Sequence, residues 1–398
     1  MAFSKVFIPY GAYWSSPFCR WQGGLSGVHS LKLAAQVAAA TLKEKGISAE
    51  AFDGLDVGFT VPQQHAFYGA PWVAALIGNP GISGVNISQA CATSARLLAH
   101  GALEVEAGNR KAVLSIACDR TSNGPHIYYP DQNAPGARGK SEDWVWDNFN
   151  FDPYGKVPMI TTAENVAKEA GISRQEQDQM TLLRYEQYQD ALADDRAFQK
   201  RYMSTVALGR GKRQKLITDD EGGHPTTAEG LAKLKPVVEG GSVTFGSQTF
   251  PADGNAAMVF CDKAQADKLS ADKSISIQVL SYGMARTQKA YMAKAVVPAA
   301  QEALSRAGVA IADCRAIKTH NPFAVNDVYF CNEMNVKPEA MNHYGSPLIW
   351  GHPQGPTGFR AMIEMIEELV ITGGGYGLFA GCAAGDTAMA TLLKVDCA

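Results

Sequence analysis

A cysteine between a predicted strand and a predicted helix is the first residue in this sequence that could act as a nucleophile. Cys91 lies between a strand-like segment, 84–88, and a helical pattern over 93–107. At the first turn of a helix, free backbone N–H groups and the helix dipole favour a thiolate, which is the form that attacks a carbonyl carbon. A buried, unreactive thiol is the alternative, because free cysteines are among the most buried residues.

Two histidines lie in segments that predict tight turns. His352 belongs to GHPQGPTG, residues 351–358, which precedes a helical pattern. A neutral imidazole there could take the proton from a thiol, and a histidine that only caps its own turn is the alternative. His320 opens a loop after a predicted strand. It could donate a hydrogen bond to a thioester oxygen, or simply bond to the backbone at the strand end.

A second cysteine, Cys382, lies in the small-residue segment 379–385. On its own, such a position favours a core residue over a catalyst. The uncharged run 369–385 around it predicts two buried strands that flank a tight turn rather than a membrane helix. The chemistry therefore depends on whether the fold brings Cys382 to the other three side chains.

Alternating helical and strand patterns surround these residues. Residues 31–45 have helical spacing, 56–60 and 111–118 are apolar strands, and a similar order returns after residue 274. Such alternation is typical of layered α/β folds with a largely parallel sheet. We expect two similar α/β domains, with a loop insertion in the first that begins at the aperiodic segment 121–158.

Composition excludes several classes of function. The 398 residues carry 36 Lys and Arg against 39 Asp and Glu, a net charge of −3, without the basic clusters that bind nucleic acid or anionic lipid. Segment 1–20 lacks the apolar core of a signal peptide, so we expect a cytoplasmic protein. The eight cysteines are scattered without a CxxC pair, which predicts reduced thiols and neither a zinc site nor a disulfide framework.

Together these segments resemble the thiolase family over nearly the whole chain. Five stretches carry the resemblance: SQACATSARLLAHGA around Cys91, MITTAENVAKEAGISRQEQD from Met159, TTAEGLAKLKPVV from Thr226, GHPQGPTG around His352 and GGGYGLFAGCAAG around Cys382. The resemblance implies an α/β thiolase fold, in which two similar βαβαβαββ domains form a five-layer α-β-α-β-α arrangement with an inserted loop domain.

The resemblance also implies domain boundaries. The N-terminal thiolase domain would comprise residues 1–120 and 245–270, and the C-terminal domain would comprise residues 271–398. Residues 121–244 would form the loop domain that covers the active site. The family further implies a homodimer, often paired into tetramers.

By matching position, the resemblance assigns roles to the site. Cys91 would be the acylated nucleophile, His352 would activate its thiol, and Cys382 would move a proton to or from the carbon of the departing or attacking acyl-CoA. His320 stands where the family usually has an asparagine, and with His352 it would form an oxyanion hole for the thioester oxygen. The backbone N–H groups of Cys91 and Ala384 would form a second hole, for the acyl-enzyme. No metal and no permanently bound cofactor are expected; CoA would be a co-substrate.

Four further residues are expected near the substrate and CoA: Thr249, Met159, Phe323 and Gly385. The sequence departs from the family here, because Phe250 replaces a glycine of the CoA-contacting segment. The segment around Met159 also lacks a histidine that the family places near the acyl pocket. These departures put the usual pantetheine contacts in question.

The covering loop is rich in aromatic side chains, which either pack the loop or line an unusual acyl pocket. They are Trp144, Trp146, Phe149, Phe151 and Tyr154. We therefore expect degradative thiolysis of a 3-oxoacyl-CoA with a branched or aromatic acyl group, such as 2-benzoylsuccinyl-CoA. The thiolases that act on that compound resemble this subgroup and work with a small zinc-containing OB-fold partner.

Three alternatives stay open. The chain could be an acetoacetyl-CoA or short-chain acetyl-CoA acetyltransferase. It could be a subunit that is active only with its small OB-fold partner. A ketoacyl synthase that uses acyl carrier protein has related ancestry, but it lacks the second cysteine and the GCAAG segment around Cys382.

Overall fold

The structure is a computed structural model that describes residues 2–209 and 211–398. Its strands are β1 (Phe7–Ile8), β2 (Tyr13–Ser15), β3 (Cys19–Arg20), β4 (Gly54–Gly58), β5 (Asn86–Ile87), β6 (Ala112–Arg120), β7 (His126–Tyr129), β8 (Lys140–Asp143), β9 (Val206–Leu208), β10 (Lys215–Ile217), β11 (Ala252–Cys261), β12 (Ile275–Arg286), β13 (Cys314–His320), β14 (Gly375–Ala383) and β15 (Thr387–Cys397). Its helices are α1 (Ser30–Glu44), α2 (Gly69–Leu76), α3 (Thr93–Glu106), α4 (Trp146–Asn150), α5 (Met159–Ala170), α6 (Arg174–Arg196), α7 (Ala228–Ala232), α8 (Lys263–Leu269), α9 (Val296–Ala307), α10 (Ala324–Met334), α11 (Pro347–Trp350) and α12 (Thr357–Ile371).

The main sheet consists of two halves joined by the short strand β1. The strand order is β13-β14-β15-β12-β1-β11-β6-β4-β5. β4 is parallel to β5 and β6, and β13 is parallel to β14, whereas β6–β11, β12–β15 and β14–β15 are antiparallel. The prediction of a largely parallel sheet is therefore wrong. One reason is the turn between β14 and β15, which spans only residues 384–386 and can join only antiparallel neighbours.

Five layers result from helices on both faces of each half. α1 and α2 pack on the outer face of the β4–β6–β11 half, and α9 packs on the outer face of the β12–β15–β14 half. α3 and α12 contact each other and lie between the two halves. Alternate residues of β6 explain this placement, because Leu114 and Ile116 belong to the core under α1 whereas Val113 and Ala117 belong to the core around α3. The predicted five-layer α/β fold is confirmed.

The central helix α12 is buried along nearly its whole length, from Thr357 to Leu369. Its charged side chains are paired inside the protein. The Arg360 guanidinium donates two hydrogen bonds to the Asp220 carboxylate, both at 2.7 Å, and Lys318 lies 3.1 Å from Glu364. Breaking such a buried pair typically costs ~3–5 kcal/mol, because one charge is left uncompensated. Since Asp220 belongs to the segment between β6 and β11, the pair also holds that segment against the core.

The segment between β6 and β11 contains more regular structure than its sequence predicts. The hairpins β7–β8 and β9–β10 and the helices α4 to α7 all fall within it. Helix α6 begins with a capping box, in which Ser173 is the N-cap and Glu176 is bonded back to it. The run 369–385 is not two strands: it comprises the end of α12, a glycine turn and the single strand β14. Within the described residues, no helix is long and apolar enough to cross a membrane.

Candidate active site

Cys91 is buried and lies two residues before the start of α3. The preceding residue, Ala90, has a φ of 45°, so the backbone turns sharply into the helix. Cys91 Sγ lies 3.2 Å from His352 Nε2 and 3.2 Å from Gln354 Oε1. The two sequence-predicted residues, 261 positions apart, are therefore within hydrogen-bond distance.

The Cys91 thiol is not the thiolate that its helix position predicts. Burial raises its pKa to about 12. The N–H groups of Ala384 and of Cys91 itself lower the pKa, and the Asp119 carboxylate raises it. The expectation from the helix dipole is wrong for the resting state, because desolvation outweighs two amide dipoles. Cys91 therefore needs a base at the moment of attack.

His352 has the protonation state of such a base. Burial, followed by the neighbouring His320, holds the pKa of His352 well below its usual range. Its Nδ1 lies 2.6 Å from Thr357 Oγ1. With Nδ1–H donating to that hydroxyl, Nε2 keeps the lone pair that faces the Cys91 thiol. The pair is thus a neutral thiol and a neutral imidazole.

Close packing fixes the turn that carries His352. Gly351 has a φ of 93°, and a Cβ there would lie 2.6 Å from the Phe250 ring. The same ring therefore occupies the space that only a glycine at position 351 leaves open. His352 N–H donates to the Phe250 carbonyl at 2.9 Å. Phe250, which departs from the family in the segment expected to contact CoA, thus lies under the turn that carries His352.

Asp119 is a residue of the site that the sequence analysis missed. Its carboxylate accepts hydrogen bonds from the N–H groups of Thr60, Val61 and Gly355, each at 2.8 Å, and from the Thr60 hydroxyl at 3.0 Å. Asp119 thereby connects the turn that carries His352 with Thr60 and Val61, which follow strand β4. Burial raises the pKa of Asp119 to about 7, although its four donors lower it. The sequence offered one indication of its role, because Asp119 directly follows the predicted strand 111–118.

Cys382 and His320 form the second part of the site. His320 Nδ1 lies 3.1 Å from the Cys382 carbonyl oxygen and 3.8 Å from its Sγ. The side chain of Asn326, another residue that the sequence analysis missed, donates from Nδ2 to Cys382 Sγ at 3.2 Å. Burial raises the pKa of the Cys382 thiol well above its usual range, and the Asn326 contact lowers it.

The tautomer of His320 follows from its partner. A carbonyl oxygen only accepts, so Nδ1 carries the proton and Nε2 carries a lone pair. Burial lowers the pKa of His320 to about 4, so the ring is neutral. Nε2 is buried and has no hydrogen-bond partner among the described residues. In this tautomer, Nε2 cannot donate to a thioester oxygen until it receives a proton.

A cavity of ≈ 390 Å³ opens beside this site. Its lining includes Ala90, Gln354 and Ala384, and also Met159 and Gly385, two of the predicted substrate contacts. The other two, Thr249 and Phe323, are not among its lining residues. The Thr249 hydroxyl donates to the Pro347 carbonyl at 2.5 Å, and Phe323 is buried at the start of α10.

The five aromatic residues of the covering loop divide into two groups. Trp144, Phe149 and Phe151 line the cavity, and the Trp144 indole N–H donates to the Thr60 carbonyl at 2.8 Å. Trp146 instead packs edge-on against Trp21, and Tyr154 lies under Arg286 and Lys289. Two of the five side chains thus pack against other parts of the protein, and the other three line the cavity.

Comparison with known proteins agrees with this geometry. Residues 13–264 match the family model for the thiolase N-terminal domain, and residues 273–395 match that for the thiolase C-terminal domain. An acetyl-CoA acetyltransferase from Pseudomonas aeruginosa is 26% identical over 390 residues, with 94% of this chain and 96% of the relative covered. Beta-ketothiolase BktB from Cupriavidus necator is 28% identical over 335 residues, with 81% and 82% covered.

A solved structure is similar over the same length. The human mitochondrial 3-ketoacyl-CoA thiolase in complex with CoA has a TM-score of 0.90 and 25% identity, with 99% of each chain covered. The two family models together span almost the entire chain, and the five-layer fold is the one that the resemblance implies. The chain belongs to the thiolase family.

Proposed function

We propose that this thiolase cleaves a 3-oxoacyl-CoA through an acyl-Cys91 intermediate. The observation that carries the proposal is the contact between the Cys91 thiol and the neutral His352 imidazole, at 3.2 Å. His352 Nε2 takes the proton of Cys91 as Sγ attacks the ketone carbon. The bond between that carbon and the α-carbon then breaks, and the α-carbon leaves as a thioester enolate.

Two oxyanion sites and a second acid complete the reaction. The N–H groups of Cys91 and Ala384, which already face Cys91 Sγ, would hold the oxygen of the attacked carbonyl. Protonated His352 would donate from Nε2 to the enolate oxygen. His320 would join it only with a proton on Nε2. Each such donor is typically worth about 3–4 kcal/mol of the barrier.

Cys382 would then protonate the enolate carbon, and acetyl-CoA or its analogue would leave. The resulting Cys382 thiolate would accept the proton of free CoA, whose sulfur attacks the acyl-Cys91 carbonyl. His352 returns its proton to Cys91, so every group ends in its starting state.

Cys91→Ser should abolish acyl transfer, while incubation of the wild type with substrate and no CoA should add an acyl group to Cys91. Acylation at another residue would refute the assignment.

We further propose a branched or aromatic acyl group, with degradation as the direction. Trp144, Phe149 and Phe151 give the cavity an aromatic wall beside the nucleophile. Its lining has two carboxylates, Asp152 and Asp386, and no Lys or Arg. The benzoyl group that 2-benzoylsuccinyl-CoA would transfer to Cys91 is uncharged and fits this wall. The single free carboxylate on its succinyl half would meet no cation in the lining, unless a partner subunit supplies one.

The test is thiolysis across straight, branched and aromatic 3-oxoacyl-CoAs. The wild type should prefer aromatic or branched substrates, and Phe149→Ala should reduce kcat/KM for these more than for acetoacetyl-CoA. Tyr154→Ala is the matched control, because Tyr154 belongs to the same loop but does not line the cavity. If acetoacetyl-CoA is the best substrate of the panel, the short-chain alternative is correct.

We also propose a homodimer, with tetramers as a further assembly. β5 is the last strand of the sheet and pairs only with β4 among the described residues. Val85 beside it is 42% exposed, and the neighbouring Phe67 is 89% exposed. An unpaired apolar edge is a site where a second copy of the chain can add its own strand.

Light scattering on a sizing column should give twice the chain mass. Val85→Lys should shift it towards the monomer, while Leu216→Lys, at an exposed position on β10, should not. A monomeric wild type would overturn the dimer.

The small OB-fold partner is the competing assembly, and it would be favoured if the purified chain were inactive alone but active with that subunit. The eight cysteines are free, which suits the reducing conditions of a cytoplasm.

A further inference from the structure

Three side chains of the site carry atoms that could also bind a metal ion. Cys91 Sγ, one nitrogen of His320 and one nitrogen of His352 all lie within 4.8 Å of one another. Cysteine sulfur and histidine nitrogen are the ligands that Zn²⁺ prefers in proteins. The three side chains come from the starts or ends of α3, β13 and the 351–358 turn, so they converge only in the folded chain.

Each imidazole has one nitrogen lone pair that could bind a metal: His352 Nε2 faces the Cys91 thiol at 3.2 Å, and His320 Nε2 has no partner among the described residues. His352 Nδ1–H donates to Thr357 Oγ1, and His320 Nδ1–H donates to the Cys382 carbonyl. In each ring Nε2 is left as the potential ligand. A histidine that binds metal usually donates its other N–H to a carbonyl or another oxygen, which fixes the tautomer and orients the ring. Both histidines already have this second contact.

The unpartnered nitrogen of His320 is the independent observation that indicates a ligand. His320 is only 1% exposed, and its Nε2 has no hydrogen-bond partner among the described residues. A buried polar atom without a partner is unfavourable and usually marks a place where a water, an ion or a substrate atom binds. The cavity reaches Ala90 and Gln354, which adjoin Cys91, so a small cation has a route to the site.

We propose that Zn²⁺ binds reversibly to Cys91, His320 and His352 and inhibits the enzyme. On binding, hydrated Zn²⁺ loses most of its water and the Cys91 thiol loses its proton to solvent. One Zn–S and two Zn–N bonds form, and a water or Gln354 Oε1 completes the tetrahedron. No electrons are exchanged. Tetrahedral zinc places its ligand atoms about 3.3–3.6 Å apart, so a rearrangement of at most about 1.5 Å within the triad is sufficient.

The site competes with catalysis because it uses the groups that acyl transfer uses. The inhibition therefore rests on the proposed role of Cys91, whereas the binding of metal does not. Zinc on Cys91 Sγ occupies the lone pairs that attack the carbonyl, and zinc on His352 removes the base. A chelator should restore full activity, because no covalent bond to carbon forms.

The first experiment measures the metal without any substrate. Co²⁺ as a probe should give an absorption band from sulfur-to-cobalt charge transfer, and Zn²⁺ should remove the band at one equivalent. Cys91→Ser should abolish the band, and His320→Asn, which keeps a polar side chain but removes the ring nitrogen, should weaken binding by about 10- to 100-fold. Cys397→Ser is the matched control, because Cys397 is an exposed free thiol remote in sequence from the triad, and it should change nothing.

The second experiment uses only the wild type, so it does not depend on whether the variants fold. One equivalent of Zn²⁺ should protect Cys91, and not Cys397, from iodoacetamide, as measured by mass spectrometry of the peptides, and EDTA should reverse the protection. A Co²⁺ band that survives in Cys91→Ser, or alkylation of Cys91 that is unchanged by Zn²⁺, would overturn the proposal. If Zn²⁺ protects Cys91 but the substrate never acylates it, the metal site stands and the proposed function fails.

Discussion

The hydroxyl of Thr357 controls the base of this site, and replacing it gives a sharp prediction. Thr357 Oγ1 lies 2.6 Å from His352 Nδ1 inside the protein, and in the tautomer that leaves Nε2 unprotonated it accepts the Nδ1 proton. This contact keeps the second proton-binding atom, Nε2, free to receive the proton of Cys91. In Thr357→Val the shape is preserved, but the buried N–H group has no acceptor.

The magnitude follows from the cost of that lost acceptor. Leaving a buried donor unsatisfied costs about 1–3 kcal/mol. The neutral ring can avoid this cost by moving its proton to Nε2, and that tautomer cannot accept a proton from Cys91. The reactive tautomer is thus disfavoured by the same free energy, which corresponds to a rate reduced by about 5- to 150-fold.

The assay is the rate of Cys91 alkylation by iodoacetamide near neutral pH, which needs no knowledge of the substrate. Thr357→Ser, which keeps the hydroxyl, should stay within about threefold of the wild type, and thermal unfolding should verify that both variants are folded. A folded Thr357→Val variant that alkylates at the wild-type rate would refute the tautomer argument. Equal losses in both variants would assign the effect to packing of the threonine methyl group.

Three further predictions test other parts of the site. Burial raises the pKa of Cys91 to about 12 and holds the pKa of His352 well below its usual range, so both groups stay neutral from pH 6 to pH 9 and the His352-assisted alkylation rate should change little over this range. A rate that rises about tenfold per pH unit would show that free thiolate reacts without help from His352. Asp119→Asn removes the carboxylate oxygen that accepts the Gly355 N–H hydrogen bond. Because this contact helps to hold the turn that carries His352, kcat/KM should fall by about 10- to 100-fold. Unchanged kinetics would show that the turn keeps its position without the Asp119 contact. Asn326→Leu removes the side chain that donates a hydrogen bond to Cys382 Sγ. Exchange of the α-protons of acetyl-CoA with deuterated water should therefore slow, while the rate of Cys91 alkylation stays as in the wild type. If both rates fell equally, Asn326 would support the whole site rather than Cys382 alone.

Local patterns predicted most of the elements that position the site. The helical spacing over 31–45 corresponds to α1, and the predicted strand 111–118 corresponds to β6. The turn residues around His352 and the small residues around Cys91 also mark places where a chain changes direction. These predictions are correct because hydrophobic periodicity and turn-forming residues depend on neighbours in the sequence.

The pairing of strands was less predictable. β1 has only two residues, yet it pairs with both β11 and β12 and joins the halves of the sheet. No periodicity can be detected in two residues, and the direction of a strand depends on partners more than a hundred residues away. The five-layer arrangement was predicted by the resemblance to the thiolase family and not by the pattern of helices and strands.

The sequence by itself determined the kinds of groups in this protein: two cysteines, two histidines and the glycines that leave room around them. It also determined the family, because the motifs around these residues are specific in combination. Only the tertiary structure decided how the groups are charged. Burial comes from every element around a side chain, and it makes Cys91 a thiol and both histidines neutral. The proton on His320 is placed by a carbonyl on β14, 62 residues away, which no local pattern specifies.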